Sequence, residues 1–238
     1  MAGSRTRLDR FLSQQLGISR KATRPLLAAG RVWLDGEPVS DRQRVVTPFS
    51  RVNVDGRLLQ QRERRYLMLN KPAGVVSATR DDRHPTVMDL LDEPAADLHL
   101  PGRLDYHTTG LLLLTNDGDW SRRLSDPREG VSKRYRVWLE KPLTQADVQM
   151  FADGIHFPYE NITTRPAQLQ ITAECEALVV LCEGRYHQIK RMFGRCGNRV
   201  VGLERLAIGG LWLDPQLARG ESRALTAQEV QAVFEPSE

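Results

Sequence analysis

Hydrophobic positions in the first sixty residues change period part-way along. Leu8, Phe11, Leu12 and Leu16 fall on one helical face that ends at Gly17. Thr6-Arg7-Leu8-Asp9 has the spacing of a capping box ahead of them. Ser19 is placed to cap a second helix through Ala22, Leu26 and Leu27. Pro25 lacks the amide hydrogen that an interior position needs, so it kinks or delays that helix. From Val32 the period falls to two. Val32-Trp33-Leu34 and Val52-Asn53-Val54 both run into Asp-Gly, the dipeptide that favours a tight hairpin turn. Residues 1 to 60 therefore read as two helices followed by a small sheet. Gln60 to Arg65 is a charged, weakly apolar run, and residues 61 to 65 are taken as a linker.

Beyond it, strand patterns fall at Tyr66 to Leu69, Leu111 to Thr115, Arg134 to Leu139, Leu178 to Cys182 and Leu206 to Leu213. Helical patterns fall near Thr86 to Leu91, Asp119 to Leu124, Thr144 to Ala152, Tyr186 to Arg195 and Thr226 to Phe234. Thr144 with Asp147 and Thr226 with Glu229 are capping boxes. The four leucines from Leu111 to Leu114 describe a strand buried on both faces, and Asn116-Asp117-Gly118 describes the turn that ends it. The order is irregular rather than alternating, and no repeat or low-complexity tract is present. Residues 66 to 238 are thus expected to form an α+β domain with a mixed or mainly antiparallel sheet.

Charge sharpens this division. Residues 1 to 65 carry 14 Lys and Arg against 6 Asp and Glu, a balance of +8, while residues 66 to 238 carry 20 against 24, or −4. A basic quarter joined to a mildly acidic remainder suits a module that grips a polyanion beside a domain that builds a shaped pocket. A solvated basic surface is the plainer alternative. Cys175, Cys182 and Cys196 are an odd number without metal-like spacing, which indicates neither a disulfide framework nor a zinc site and fits a reducing cytoplasm. His84, His99 and His107 are irregularly spaced and lack an accompanying ligand pattern, so no metal site is expected. Met1 to Arg10 is polar and basic, with no apolar core of a signal peptide, and no run approaches the roughly 18 apolar residues of a membrane span.

Candidate chemistry centres on Gly102-Arg103-Leu104-Asp105-Tyr106-His107-Thr108-Thr109-Gly110-Leu111. Asp105 stands there without an acidic neighbour, in a loop feeding a rigid core strand. A loop aspartate is ordinarily a turn or cap residue. Gly102-Arg103-Leu104-Asp105 followed by Thr108-x-Gly110-Leu111 resembles the nucleophile motif of the pseudouridine synthases, in the branch that modifies ribosomal RNA and carries an N-terminal RNA-binding module. The likeness continues in Tyr66-Leu67-Met68-Leu69-Asn70-Lys71-Pro72-Ala73-Gly74, in the basic-x-tyrosine motif Lys133-Arg134-Tyr135, and in Glu183-Gly184-Arg185-Tyr186-His187-Gln188-Ile189-Lys190-Arg191-Met192-Phe193. All four lie in the family's order. The N-terminal pattern Arg7-Leu8-Asp9-x-Phe11-Leu12 with Arg20-Lys21 is similar to the compact helix-hairpin RNA-binding domain of a small-subunit ribosomal protein and of tyrosyl-tRNA synthetases.

This resemblance implies isomerisation of uridine to pseudouridine, in which the bond from C1′ to uracil N1 breaks, the base turns, and C5 rejoins the sugar. Such a rearrangement requires no cofactor. Asp105 would be the nucleophile; the residues leave open which bond it attacks first and whether it instead assists a glycal intermediate. Desolvation in a closed pocket pushes a carboxylate towards its neutral form, so a nearby cation is needed, and the family's third motif makes Lys190 that cation. Tyr135, otherwise a core aromatic, would lie against the target base. Arg103, otherwise a loop arginine, would reach a phosphate or fill the space that the base leaves. Arg7, Arg10, Arg20, Lys21 and Arg24 would face RNA phosphates. His107 departs from the pattern, since relatives usually carry a second acidic residue there; the change is expected to leave catalysis intact and alter local contacts.

Leu90-Leu91-Asp92-Glu93-Pro94, Asp119-Trp120-Ser121 and Ser125-Asp126-Pro127-Arg128 favour the subgroup acting on small-subunit ribosomal RNA. Two other readings stand beside it: a synthase acting on the large subunit, and an RNA-binding assembly factor that has lost catalysis. Together Asp105, Tyr135 and Lys190 favour the enzyme, because a pure binder has no need of a nucleophile with an orienting cation. The expected protein is a cytoplasmic monomer whose partner is ribosomal RNA, free or within an assembly intermediate.

Overall fold

The computed structural model describes residues 5 to 236. The outermost ends of the two expected domains, residues 1 to 4 and 237 to 238, lie outside the described residues. Contacts divide the chain into a unit ending at Arg64 and a unit beginning at Arg65. Arg65, expected within the linker, is bonded into the second unit: its amide donates to Asn116 Oδ1 at 2.9 Å and its guanidinium meets Glu93 at 2.7 Å.

In the first unit, helices Leu8–Leu16 and Thr23–Ala28 pack on a sheet of four strands, Val32–Leu34, Glu37–Pro38, Val52–Val54 and Arg57–Gln60. Leu8, Phe11, Leu12, Leu27, Val32, Leu34, Val52 and Val54 form its core. Both Asp-Gly pairs turn hairpins, with Asp35 at φ 55° and Asp55 at φ 53°, the left-handed conformation that such turns require. The first capping box does not form. Arg7 is the N-cap, Thr6 pairs with Val46 in a short strand, and Asp9 is drawn to two guanidiniums instead, Arg7 and Arg20, each at 3.0 Å. Pro25 delays the second helix as expected. The helix starts at Thr23, so Pro25 sits in the first turn, where a missing amide hydrogen leaves nothing unpaired, while Ser19 bonds the amide of Ala22 in the preceding turn.

The second unit is α+β, built on a mixed eight-stranded sheet. Its main path runs Gln168–Ala173, Glu176–Leu181, Lys133–Leu139, Val200–Ile208, Thr109–Thr115, Tyr66–Lys71, Ser222–Ala224, with Leu211–Trp212 folded back on Val200–Ile208. Every neighbouring pair is antiparallel except Val200–Ile208 with Thr109–Thr115, which is parallel. The leucine run sits at the centre and divides between two cores. Leu111 and Leu113 join Trp120, Val230 and Val233 on one face; Leu112 and Leu114 join Val87, Leu98 and Leu104 on the other. Fully burying each such side chain contributes roughly 1.5–3 kcal/mol, which fixes this strand as the unit's rigid axis.

Several elements differ from the sequence expectation for identifiable reasons. Leu206 to Leu213 is not one strand: the chain turns at Gly209-Gly210, whose amides are held by Ser132 and Ala232 carbonyls at 2.8 Å each. Asn116-Asp117-Gly118 is more than a turn, because Asp117 caps the helix Gly118–Ser125 by accepting from the amides of Asp119 and Trp120. Thr86 to Leu91 shortens to a single 3-10 turn, Val87–Leu90, closed by a Thr86–Asp89 capping box. The helix expected from Tyr186 begins only at Gln188. Edge strand Gln168–Ala173 carries Gln, Thr and Ala rather than a strong apolar alternation, which is why periodicity does not reveal it.

Gly110 marks the closest approach in the sheet. It has φ +96°, and an added Cβ would fall inside contact distance of the Arg205 backbone. Gly110→Ala is expected to cost about 2 kcal/mol through strain at this φ and displacement of the parallel neighbour. Urea unfolding checks this, and a midpoint equal to wild type would contradict the close approach.

Candidate active site

Asp105 is carried by a loop that is tied down from beneath. Lys71, the last residue of Tyr66–Lys71, has no exposed surface. Its ammonium donates to the carbonyls of Pro72 at 3.0 Å, Asp105 at 3.2 Å, Tyr106 at 3.3 Å and Thr108 at 3.0 Å. Ser77 adds a reciprocal pair, Oγ to the Leu104 carbonyl at 2.8 Å and the Leu104 amide to Oγ at 3.1 Å. Burial pushes the Lys71 ammonium down to about 8, and the Asp105 carboxylate opposes that shift. The loop thus leads into Thr109–Thr115 with its backbone fixed and the Asp105 side chain partly open.

From the other side comes helix Gln188–Arg195. Lys190, its third residue, places Nζ 3.1 Å from Asp105 Oδ2, and His187 places Nε2 3.4 Å from Oδ1. His187 adopts the left-handed conformation at φ 47°, uncommon for a residue with a side chain, and its ring stacks on Tyr186 with centroids 3.9 Å apart. Gln188 secures this corner: it accepts from the Arg185 amide at 2.9 Å and donates to Glu183 at 2.6 Å.

These residues border a cavity of about 560 Å³ that also includes Arg103, Lys133, Tyr135 and Arg205. Tyr135 lies in Lys133–Leu139, directly across from Arg205. Burial holds the Lys133 ammonium at about 8, with the nearby Arg205 charge adding to the shift and Cys182 opposing it. Four residues singled out from sequence, Arg103, Asp105, Tyr135 and Lys190, therefore meet on one cavity. Arg7, Arg10, Arg20, Lys21 and Arg24 all lie in the first unit and are all exposed, Arg7 and Arg20 each giving one nitrogen to Asp9.

Sequence reasoning assigned no role to Lys71, Lys133, His187 or Arg205. Two signals were available. Lys71 ends an apolar strand immediately before Pro72, and Arg205 alternates in phase with Leu203 and Ala207, a register that points inward. His107 is exposed and sits edge-on to Tyr106 at 4.9 Å, with His84 on the same tyrosine at 5.3 Å. Among the described residues no group of three or more His, Cys, Asp or Glu side chains is disposed to hold a metal ion.

Removing the buried lysine tests how the loop is held. Lys71→Met is expected to destabilise by about 1–3 kcal/mol, because loop carbonyls lose their donor. The native ammonium sits at about 8, below its ordinary value of 10.5. The unfolded chain therefore binds more protons across that interval, and the group's contribution to stability rises with pH there and is lost as pH falls through about 8. Urea unfolding of wild type and Lys71→Met at pH 7 to 10 checks this; a stability difference independent of pH would contradict the buried ammonium.

Residues 65–194 match the RNA pseudouridylate synthase family. The chain is 51% identical over 229 residues to ribosomal small subunit pseudouridine synthase A of Pseudomonas aeruginosa, covering 95% of this chain and all of that one. Its identity to the protein of the same name from Yersinia pestis is 50% over 232 residues, covering 97% and 99%. A crystal structure of a pseudouridylate synthase superposes with a TM-score of 0.70 at 38% identity, over 95% of this chain and 99% of that one. With Asp105 set beside a lysine and a histidine in a cavity that a tyrosine also lines, and with these likenesses, the chain belongs to the RNA pseudouridylate synthase family.

Proposed function

We propose that this chain isomerises a uridine of ribosomal RNA to pseudouridine, that the target lies in the small-subunit RNA, and that Asp105 is the nucleophile. The observation that carries this reading is the Lys190–Asp105 pair at 3.1 Å, set in a cavity with Tyr135 and Arg103. The target in small-subunit RNA is supported by near-full-length likeness to proteins bearing that name.

Extruded from its helix, a uridine enters the cavity with its base against Tyr135 and its sugar towards Asp105. Lys190 holds the carboxylate aimed, and Arg103 takes a phosphate or the space left in the stack. The C1′–N1 bond breaks, the base turns, and C1′ bonds to C5; the C5 proton departs and N1 gains one, so the product is an isomer. An assembly factor without catalysis would have no use for a nucleophile so placed. The protein works as a monomer on ribosomal RNA, free or within an assembling subunit, and the exposed Arg10, Lys21 and Arg24 of the first unit grip phosphates.

Asp105→Asn is expected to abolish pseudouridine formation while RNA affinity stays within about three-fold, since the amide keeps the shape and is a poor nucleophile. Turnover near wild type would overturn the assignment. Lys190→Met should lower the single-turnover rate at saturating RNA by about 100-fold while RNA affinity and its salt slope hold, because the carboxylate loses the donor that aims it. Weaker binding with a smaller salt slope and an unchanged saturated rate would make Lys190 a phosphate ligand instead.

For the first unit, Arg10→Ala with Lys21→Ala should weaken RNA binding and reduce the slope of log affinity against log salt by about 0.7–0.9 for each phosphate that these side chains neutralise. A slope equal to wild type would remove these residues from the RNA interface.

A further inference from the structure

Arg205 is buried at 4% exposure, yet it lines the cavity that holds Asp105. Its Nε is committed to the Leu111 carbonyl at 2.7 Å, which fixes the guanidinium against the central strand. Neither terminal nitrogen has a hydrogen-bond partner among the described residues, and neither belongs to the wholly buried atoms left without one, so both are open to the cavity that Arg205 lines. Donors so placed on a fixed guanidinium are ready for an acceptor that enters the cavity. Lys133 stands on the same cavity, with one hydrogen bond to the Val131 carbonyl at 2.7 Å, close enough to Arg205 for the two charges to repel. Neither cation forms an ion pair with a carboxylate among the described residues; Asp105 is engaged by Lys190 and His187.

Resting on the reaction proposed above, we infer that Arg205, with Lys133 beside it, receives the carbonyl edge of the target uracil and carries the negative charge that the base acquires as its bond to the sugar breaks. Sheet register supplies the geometry. Tyr135 is the direct cross-strand neighbour of Arg205, so a base lying against the tyrosine presents its edge to the guanidinium. Chemistry supplies the need. When C1′–N1 cleaves, the electron pair stays with the base and spreads over its carbonyl oxygens; addition of a carboxylate to the ring would likewise place negative charge on a carbonyl oxygen. Fixed donors aimed at that developing charge, in a site sheltered from water, act without reorganising. A guanidinium offers two parallel N–H groups to such an edge. An RNA phosphate is the other acceptor to consider, but phosphates remain on the backbone when a base is extruded, whereas Arg205 is almost wholly inside.

The test uses the full chain and small-subunit ribosomal RNA transcribed with either uridine or 5-fluorouridine. Fluorine makes the departing base a weaker base, so cleavage then depends less on a cation at the carbonyl edge. Arg205→Gln and Lys133→Gln are compared with wild type in single turnover at saturating RNA, reading loss of the N-glycosidic nucleoside at the site that wild type modifies. Arg205→Gln is expected to slow uridine cleavage by about 100-fold, the lower end of the effect of removing one charge-stabilising donor, and Lys133→Gln, which stands beside it, by less, about 10-fold. RNA affinity and its salt slope should stay within about two-fold; on fluorinated RNA the Arg205→Gln defect should shrink to about 10-fold and the Lys133→Gln defect to about 2–3-fold. Weaker binding with a smaller salt slope and an unchanged saturated rate would overturn the inference in favour of a phosphate grip. A defect equally large on both RNAs would overturn it in favour of packing. Should Arg205→Gln lose its fold by circular dichroism, Lys133→Gln decides alone. Failure of the underlying reading is separate, since wild type itself would then form no pseudouridine or Asp105→Asn would remain active.

Discussion

One short parallel contact organises the catalytic unit. Thr109–Thr115 and Val200–Ile208 pair in register at Glu204 with Thr109 and Arg205 with Gly110. A parallel pair cannot be joined by a tight turn, so a long stretch of chain separates the two strands. That stretch contains Lys133–Leu139, which brings Tyr135, and helix Gln188–Arg195, which brings Lys190. The contact is possible because Gly110 has no side chain to meet the Arg205 backbone. It also sets Asp105, five residues before Gly110, beside the wall that carries Arg205. The nucleophile loop and the opposing wall are therefore positioned by the same pair of strands.

Electrostatics at the site rest on a division between structural and reactive cations. Lys71 is buried and occupied by four backbone carbonyls, so its charge holds the loop and reaches Asp105 without competing for the carboxylate oxygens. Lys190 takes one of those oxygens directly, and the His187 ring lies 3.4 Å from the other. A carboxylate so surrounded is aimed from one side while its other side faces the cavity. Rigidity matters as much as charge, since a nucleophile gains from being held where its target will be. Lys71 and Ser77 supply that rigidity through the backbone and leave the side chain free to react.

Much of this was legible in the sequence where local pattern and burial agree. The leucine run, the twin Asp-Gly hairpins and the Thr144 and Thr226 capping boxes formed as their spacing implied, because each is decided by contacts within a few residues or by one strongly buried strand. Thr6 and Asp9 show the opposite case. The spacing of a capping box was present, but two guanidiniums offered Asp9 stronger partners than a backbone amide. At the site, the motifs identified Asp105, Tyr135 and Lys190, which share one cavity. Lys71 and Arg205 escaped notice because a cation inside a strand pattern reads as an edge or exception until the sheet shows that both faces are covered.

Net charge would have been a poor guide to this cavity. Residues 66 to 238 balance at −4, yet Arg103, Lys133, Arg185, Lys190 and Arg205 all border the space around Asp105. Many of the unit's acids are spent elsewhere on exposed or half-exposed partners: Asp126 on Arg128, Glu160 on Arg191, Glu204 on Arg219, Asp214 and Glu229 on Arg223. Exposed pairs of this kind contribute little to stability, but they keep carboxylates occupied away from the cavity mouth. What a polyanionic substrate meets is the local field at the cleft, where low-dielectric walls concentrate it, rather than the sum over the domain. An acidic balance and a cationic active site are therefore compatible, and the basic first unit need not supply the charge that the reacting nucleotide encounters.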